Sequence, residues 1–442
     1  MEAEHVGSRH DTQDRKFPEH YRHNFWCLVV DFCFFGIAMA FFNPSTVTPS
    51  FLTELGASTS VIGLMSTLQR AGWLAPQLVG ARYLANKPFK KPYILLPAGI
   101  SRSMLLIVAG TIWATQGTPP GLVIGVVIGV SAIFWLGDGL GSVAWFDFLS
   151  KTIPPHRRGR LTSTGQALSG VLGFLAGFIV EWMLGDRGPS YPNNYALLYL
   201  IGFIMLVISF VAISFGREPK GVSARSVPKW SAYIRQLVAV LKKDRAFRRY
   251  IVTRQIFNLS ALATPFYMTY ALEKLGLPTQ VAGRYTAIGV IGTITSALLF
   301  GWANERHGSH TAMTLSLFAN ASVPALALLI PRLLADQPAI LAWAYGLVFL
   351  AYNFAMASFM PSWIAYILEL APEAQRPIYV GMTNTFNSVS ALVSTLGGLM
   401  LQWSNQNYVL LFAMAALGTL AAFPLLQTLP KLRGPVQDAA GG

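Results

Sequence analysis

Residues 194–215 read NYALLYLIGFIMLVISFVAISF, a run without a single charged side chain. As a helix it rises about 33 Å, enough to cross the roughly 30 Å hydrocarbon layer of a bilayer. A barrel strand is about ten residues long and alternates in polarity, so this run is expected to be a spanning helix. Eleven further segments pass the same test. Five precede it, at about 25–46, 60–84, 93–115, 121–147 and 161–184. Six follow, at about 249–272, 280–303, 311–332, 338–367, 377–402 and 406–428. The expected fold class is an all-α integral membrane protein with twelve transmembrane helices. Pro44, Pro76, Pro265 and Pro361 fall inside these runs and are expected to break or kink them.

The composition agrees. Of 442 residues, 53% are hydrophobic and 12% are charged, about half the charged share of an ordinary soluble domain. That excludes a soluble globular enzyme, a disordered chain and a coiled coil. A net charge of +14 ordinarily suggests nucleic acid. Here the cations fall in short polar gaps between apolar runs, so the expected partner is a lipid bilayer and not nucleic acid. Cys27 and Cys33 are six residues apart on one helix, about 9 Å of rise, too far for a disulfide. The chain has no phosphate-binding glycine loop, catalytic triad or metal-ligand cluster, so neither an enzymatic activity nor a cofactor or metal is expected. Residues 1–24 mix both charge signs without an apolar core and read as a tail, not a signal peptide.

Lysine and arginine set the orientation. With the N-terminus inside, the cytoplasmic loops and tails hold twenty-five of them; the other side holds Arg187, Lys274 and Arg332. Both termini are therefore expected in the cytoplasm, with the chain a multi-pass monomer of a cell (inner) membrane. The one long polar stretch divides the spans six and six. The expected organisation is a tail (1–24), a six-helix bundle (25–215), a linker (216–248), a second bundle (249–429) and a tail (430–442). Within the linker, Lys229–Tyr250 places Trp230, Ile234, Leu237 and Leu241 at helical spacing beside a basic face, as an interfacial helix does.

The two halves repeat one another. GARYLANKPFKK (80–91) aligns with GWANERHGSH (301–310), Asn86-Lys87 on Glu305-Arg306, at an offset of 219. PPHRRGR (154–160) aligns with PEAQRPI (372–378), Pro154 on Pro372 and Arg158 on Arg376, at 218. Twelve spans, a basic central loop and this repeat resemble the Major Facilitator Superfamily of secondary transporters. Its loop signature, roughly G-x-x-x-D-R-x-G-x-R, is echoed by Gly301, Glu305, Arg306 and Gly308. The first copy is degraded, with Asn86 for the acid and Phe89 for a glycine, though Lys87, Lys90 and Lys91 keep its basic part. The resemblance implies two pseudo-symmetric bundles rocking about a central site. It also implies a latch on the cytoplasmic side, for which Lys87, Lys90, Arg158, Glu305, Arg306 and Arg376 are the candidates. Asp147 is expected to pair with basic loop residues in place of the missing acid.

An ionisable group in hydrocarbon costs a few kcal/mol and so faces a cavity or a partner. Five stand well inside spans: Asp31, Arg70, Arg102, Asp138 and Arg254. Arg70, Arg102 and Arg254, with Trp135, Asn258, Tyr352, Asn353, Asn384 and Asn387, are the candidate substrate-binding residues. Asp31 and Asp138 are the candidate proton carriers. The alternative for the charges is structural pairing, Asp31 with Arg102 or Asp138 with Arg70. Three arginines against two aspartates favour a substrate with an anionic group. The function expected is secondary active transport of a small amphipathic or anionic organic solute by alternating access, coupled to H+. The rivals are a multidrug or lipophilic-cation exporter, a lipid flippase, and a receptor or sensor that does not transport.

Overall fold

Every regular element of the computed structural model, which describes residues 19–220 and 230–432, is helical. The N-terminal half contains α1 (Tyr21–Phe41), α2 (Val47–Glu54), α3 (Thr59–Leu84), α4 (Lys91–Thr115), α5 (Pro120–Thr152), α6 (Pro155–Leu184) and α7 (Asn193–Phe215). α8 (Trp230–Lys243) leads into α9 (Arg245–Phe257), α10 (Phe266–Glu273) and α11 (Val281–Leu333). Then come α12 (Pro338–Ala344), α13 (Gly346–Ala357), α14 (Ala365–Leu370), α15 (Arg376–Ser390), α16 (Leu392–Trp403), α17 (Tyr408–Leu420) and α18 (Ala422–Gln427). α11 is two helices joined across a kink at Gly308, whose φ of 81° and ψ of 164° suit a residue without a β-carbon. Among the described residues eight helical runs are long and apolar enough to cross a membrane. The other expected crossings fall on α3 and on the interrupted runs 245–273 and 376–403.

Two of the four prolines lie at breaks. The helix stops between α1 and α2 around Pro44, and before α10 it tightens into a 3-10 helix over Asn258–Leu262 and a turn at Pro265. Pro361 lies in a widened turn at Met360–Ile364, whereas Pro76 is accommodated inside α3. The first helix begins at Tyr21, within the stretch expected to be tail. The expected single helix over 229–250 is two, because Asp244 accepts the Phe247 backbone N–H at 2.9 Å and so starts a new helix. Leu237, Val240 and Leu241 of α8 pack on the C-terminal core while Arg235, Lys242 and Lys243 stay exposed; the Trp230 and Ile234 side chains and residues 221–229 lie outside what is described.

The repeat is carried into three dimensions. α2 and α10 have the same length at an offset of 219, and the runs Pro120–Thr152 and Pro338–Leu370 match at 218. The Arg158 guanidinium donates to the Ser150 carbonyl at 2.9 Å, and that of Arg376 to the Leu368 carbonyl at 3.1 Å. Each arginine thus ties down the end of the preceding long helix from the same relative position.

The halves meet where α3 runs along α15 and α16, α6 along the first part of α11, and α2 against α10. Small residues allow the approach. A β-carbon on Gly283 would lie 2.1 Å from the Glu181 nitrogen, and one on Gly398 would lie 2.3 Å from the Thr59 carbonyl oxygen. Hydrogen bonds between the halves gather at the end remote from the termini: Thr46 with Thr286 (2.6 Å), Thr53 with Thr269 (3.3 Å), Thr67 with Thr395 (2.8 Å), and Glu54 with Thr279. There Glu181 of α6 also pairs with Arg284 of α11, whose guanidinium stacks 3.8 Å above Trp343. The halves are clasped at that end.

Candidate functional site

Between the halves lies a chamber with two lobes that share Gln69, Arg70, Trp135 and Met356. The upper lobe, about 240 Å³, is built on the breaks: Asn43, Pro44 and Ser45 from one half meet Thr264 and Pro265 from the other, beside Tyr352 and Asn353. Helix breaks inside a membrane-spanning run are tolerated where they border a cavity, and these two do. The lower lobe, about 320 Å³, is lined by Trp73 of α3 and by Arg254, Phe257 and Asn258. Ser316 and Asn320 of α11, Phe359 and Trp363, and Asn387 and Ser390 of α15 complete it.

The charges in this lining have one sign. Among the described residues, Arg70 and Arg254 are the charged side chains of the lining, and neither lobe is lined by an aspartate or glutamate. Arg254 is 8% exposed, and its guanidinium carbon sits 4.7, 4.5 and 4.7 Å from the ring centres of Phe257, Phe359 and Trp363. Its Nε and Nη1 have no hydrogen-bond partner among the described residues. Ring faces attract a cation but do not replace lost hydrogen bonds. Arg70 donates only a weak bond, 3.7 Å to the Met356 sulfur. Asn258 donates to Asn387 at 3.0 Å, holding two amides against the lower lobe.

The other intramembrane charges are spent on one another. Asp31 accepts from Ser209 at 2.5 Å and Trp145 at 2.7 Å, and pairs with Arg102 at 3.5 Å. Arg102 also donates to the Leu206 carbonyl at 3.2 Å. Of the two structural pairings open at the sequence level, this one forms. Asp138 lies beside the Trp73 side chain and within electrostatic reach of Arg102, not in a pair with Arg70. Arg102 is thus separate from the chamber lining, enclosed in the N-terminal bundle. Asn384 is also outside the lining and bonds Gln77 across the halves at 3.3 Å.

A sequence model of the Major Facilitator Superfamily matches residues 30–395, with a second match over 257–440. The chain belongs to that superfamily. It is 27% identical over 405 residues to an uncharacterised protein of Mycobacterium tuberculosis, covering 87% of this chain and 74% of the relative. Among solved structures it is similar to the nucleoside transporter NupG, at 14% identity and a TM-score of 0.63, covering 92% of this chain and 98% of that one. It is also similar to a D-xylose–proton symporter, at 18% identity and a TM-score of 0.61, covering 93% and 99%. At such identities the structures share the fold.

In this superfamily member the degraded first loop motif is rebuilt from a distance. Glu218, beyond the end of α7, accepts the backbone N–H groups of Lys90 and Lys91 at 2.7 to 2.8 Å and the Lys151 ammonium at 3.1 Å. A carboxylate there caps the N-terminus of α4 and supplies the acid that Asn86 does not. Asp147 pairs with Lys151 at 2.7 Å and approaches the Lys90 ammonium at 4.0 Å. Lys90 is buried and also donates to the Leu84 and Lys87 carbonyls; burial holds its ammonium below the usual lysine range, against the pull of Asp147. Lys87 lies 5.3 Å over the Tyr83 ring and Arg306 5.7 Å over the Trp302 ring, with Glu305 exposed beside it. Replacing Glu218 by alanine is expected to destabilise the protein by about 2–3 kcal/mol. Thermal unfolding in detergent checks this, and an unchanged midpoint would refute the capping role.

Sequence reading did not single out Glu218, Gln69, Asn320 or the pair Phe359 and Trp363 for the site. The spacing of Ser316 with Asn320, and of Phe359 with Trp363, puts each pair on one helix face and was a usable signal. Glu218 had none, since its partners lie 67, 127 and 128 residues upstream.

Proposed function

We propose that this chain is a secondary active transporter that carries a small anionic organic solute with an apolar or ring-bearing body. The observation that carries the reading is a chamber whose charged lining, among the described residues, is Arg70 and Arg254. A buried guanidinium with unmet donors is costly unless an anion completes it. Trp73, Trp135, Phe257, Phe359 and Trp363 offer flat apolar walls, and the amides of Asn258, Asn320 and Asn387 offer orienting groups. A lipophilic-cation exporter needs a carboxylate where these arginines stand.

Alternating access follows from the clasp. Between the bundles the described contacts are side chains and close-packed glycines, which lets the halves part at one end while meeting at the other. The basic loops support cytoplasmic termini in a cell membrane, the clasp then facing outward and the chamber inward. Proton coupling is supported by the arithmetic of the N-terminal group: Asp31 and Asp138 share Arg102, which leaves one negative charge unbalanced and one proton to carry. Trp73 connects that group to the chamber wall.

Arg70→Gln and Arg254→Gln are each expected to weaken binding of an anionic ligand by about 10- to 100-fold, the loss of one charge-assisted hydrogen bond or more. The check is a thermal-shift titration of detergent-purified protein with panels of anionic, neutral and cationic ring compounds. Stabilisation by cations alone, unaffected by either replacement, would sink the reading.

A further inference from the structure

Arg70 and Arg254 belong to opposite halves, one on α3 and the other on α9. Both face the lower lobe, and each lies within electrostatic reach of the other. The buried carboxylates nearest to them are engaged elsewhere, Asp31 by Ser209, Trp145 and Arg102, and Asp138 by Trp73. Among the described residues, the chamber therefore presents two like charges and no carboxylate. Closing the end that carries the termini brings α3 and α9 together and expels water. Repulsion between the guanidiniums then grows, because the dielectric that screens them falls. A single negative charge between them leaves one cation buried; two negative charges leave none.

We infer that the solute bears a doubly charged anionic group, a phosphate monoester or a dicarboxylate, that bridges Arg70 and Arg254 across the two halves, and that the carrier exchanges one such dianion for another because it does not return empty. This inference rests on the reading of the chamber as an anion site. The dianion turns the repulsion between the halves into two attractions, so the loaded chamber closes and the bare one stays open. Differential affinity for the closed state is what drives such a shift. The rings around Arg254 and the indoles of Trp73 and Trp135 receive the body of the solute.

The test uses the full chain with phenyl phosphate and phthalate as dianions, benzoate as a monoanion and tetraphenylphosphonium as a cation. Thermal stabilisation is expected from a dianion and not from benzoate at equal concentration. Uptake of the labelled dianion into proteoliposomes preloaded with it is expected to exceed uptake into buffer-filled ones by about tenfold or more. In Arg254→Gln, or in Arg70→Gln should the first fail to fold, that ratio falls toward one, since a single cation no longer blocks the empty return. Spin-label distances between the termini-side ends of α5 and α14 give a readout without ligand. Ligand-free wild type is expected in one population, and the variants in two. Equal uptake into loaded and empty vesicles, or benzoate bound as tightly as the dianions, would overturn the bridge yet leave the anion carrier standing. Ligand-free wild type already in two populations would overturn it whatever the ligand. Stabilisation by tetraphenylphosphonium alone would overturn both.

Discussion

Asp31→Asn is expected to destabilise the folded protein by about 3–5 kcal/mol, the cost of leaving a buried charge without its partner. Asp31 is 5% exposed and gathers three donors at once: the Ser209 hydroxyl, the Trp145 indole and the Arg102 guanidinium. An amide presents one acceptor edge and one donor edge, so at least one of the three faces an N–H. Arg102 then keeps only the Leu206 carbonyl and the more distant charge of Asp138. The chamber is untouched, because neither Asp31 nor Arg102 lines it. Ligand binding and exchange at equal pH should persist, while the acceleration of exchange by a proton gradient is lost. Thermal unfolding and proteoliposome flux measure the two parts. A variant as stable and as gradient-driven as wild type would show that the Asp31–Arg102 pair matters to neither.

Gly283→Ala is expected to shift the carrier by about 10- to 100-fold away from the state described here. The added carbon would sit 2.1 Å from the Glu181 nitrogen, 2.5 Å from the Gly177 carbonyl oxygen and 2.6 Å from the Glu181 Cα. All three are backbone atoms and do not rotate aside. Overpacking of this kind costs about 1–3 kcal/mol, which corresponds to that population ratio. α6 and α11 belong to different halves, so the strain is relieved by parting them at the clasped end, with each bundle intact. The Glu181–Arg284 pair is stretched by the same movement. Thr269 is fully buried there and bonds Thr53 across the halves. A cysteine at position 269 should therefore label readily in the Gly283→Ala background and scarcely in wild type. Equal labelling with undiminished transport would mean that the clasp carries no conformational weight.

The membrane helices and the duplication were legible because both are local or periodic properties. A long uncharged run such as 194–215 has one physical answer in any context. Arg158 and Arg376, separated by 218 residues, proved to make the same carbonyl contact because each sits at the same step of a repeated chain. The break at Asp244 was harder to see, since the basic and apolar spacing continues across it and only the capping bond marks the new helix.

The intramembrane arginines show where local reading ends. Arg70, Arg102 and Arg254 look alike in sequence, each one cation in an apolar run. Their fates depend on how each helix is rotated against its neighbours. Asp31, 71 residues away, neutralises Arg102. Arg254 is surrounded by three aromatic rings and finds no carboxylate, and Arg70 reaches only a methionine sulfur. Glu218 repairs a loop whose own acid is missing from 128 residues further on. Apolar length, charge bias and repeat offset are sums along the chain, so the sequence by itself determined the class of molecule, its helices and its two-fold plan. Whether a given charge is quenched or left open for a ligand depends on distances of a few ångströms between helices remote in sequence, and only tertiary packing decided those.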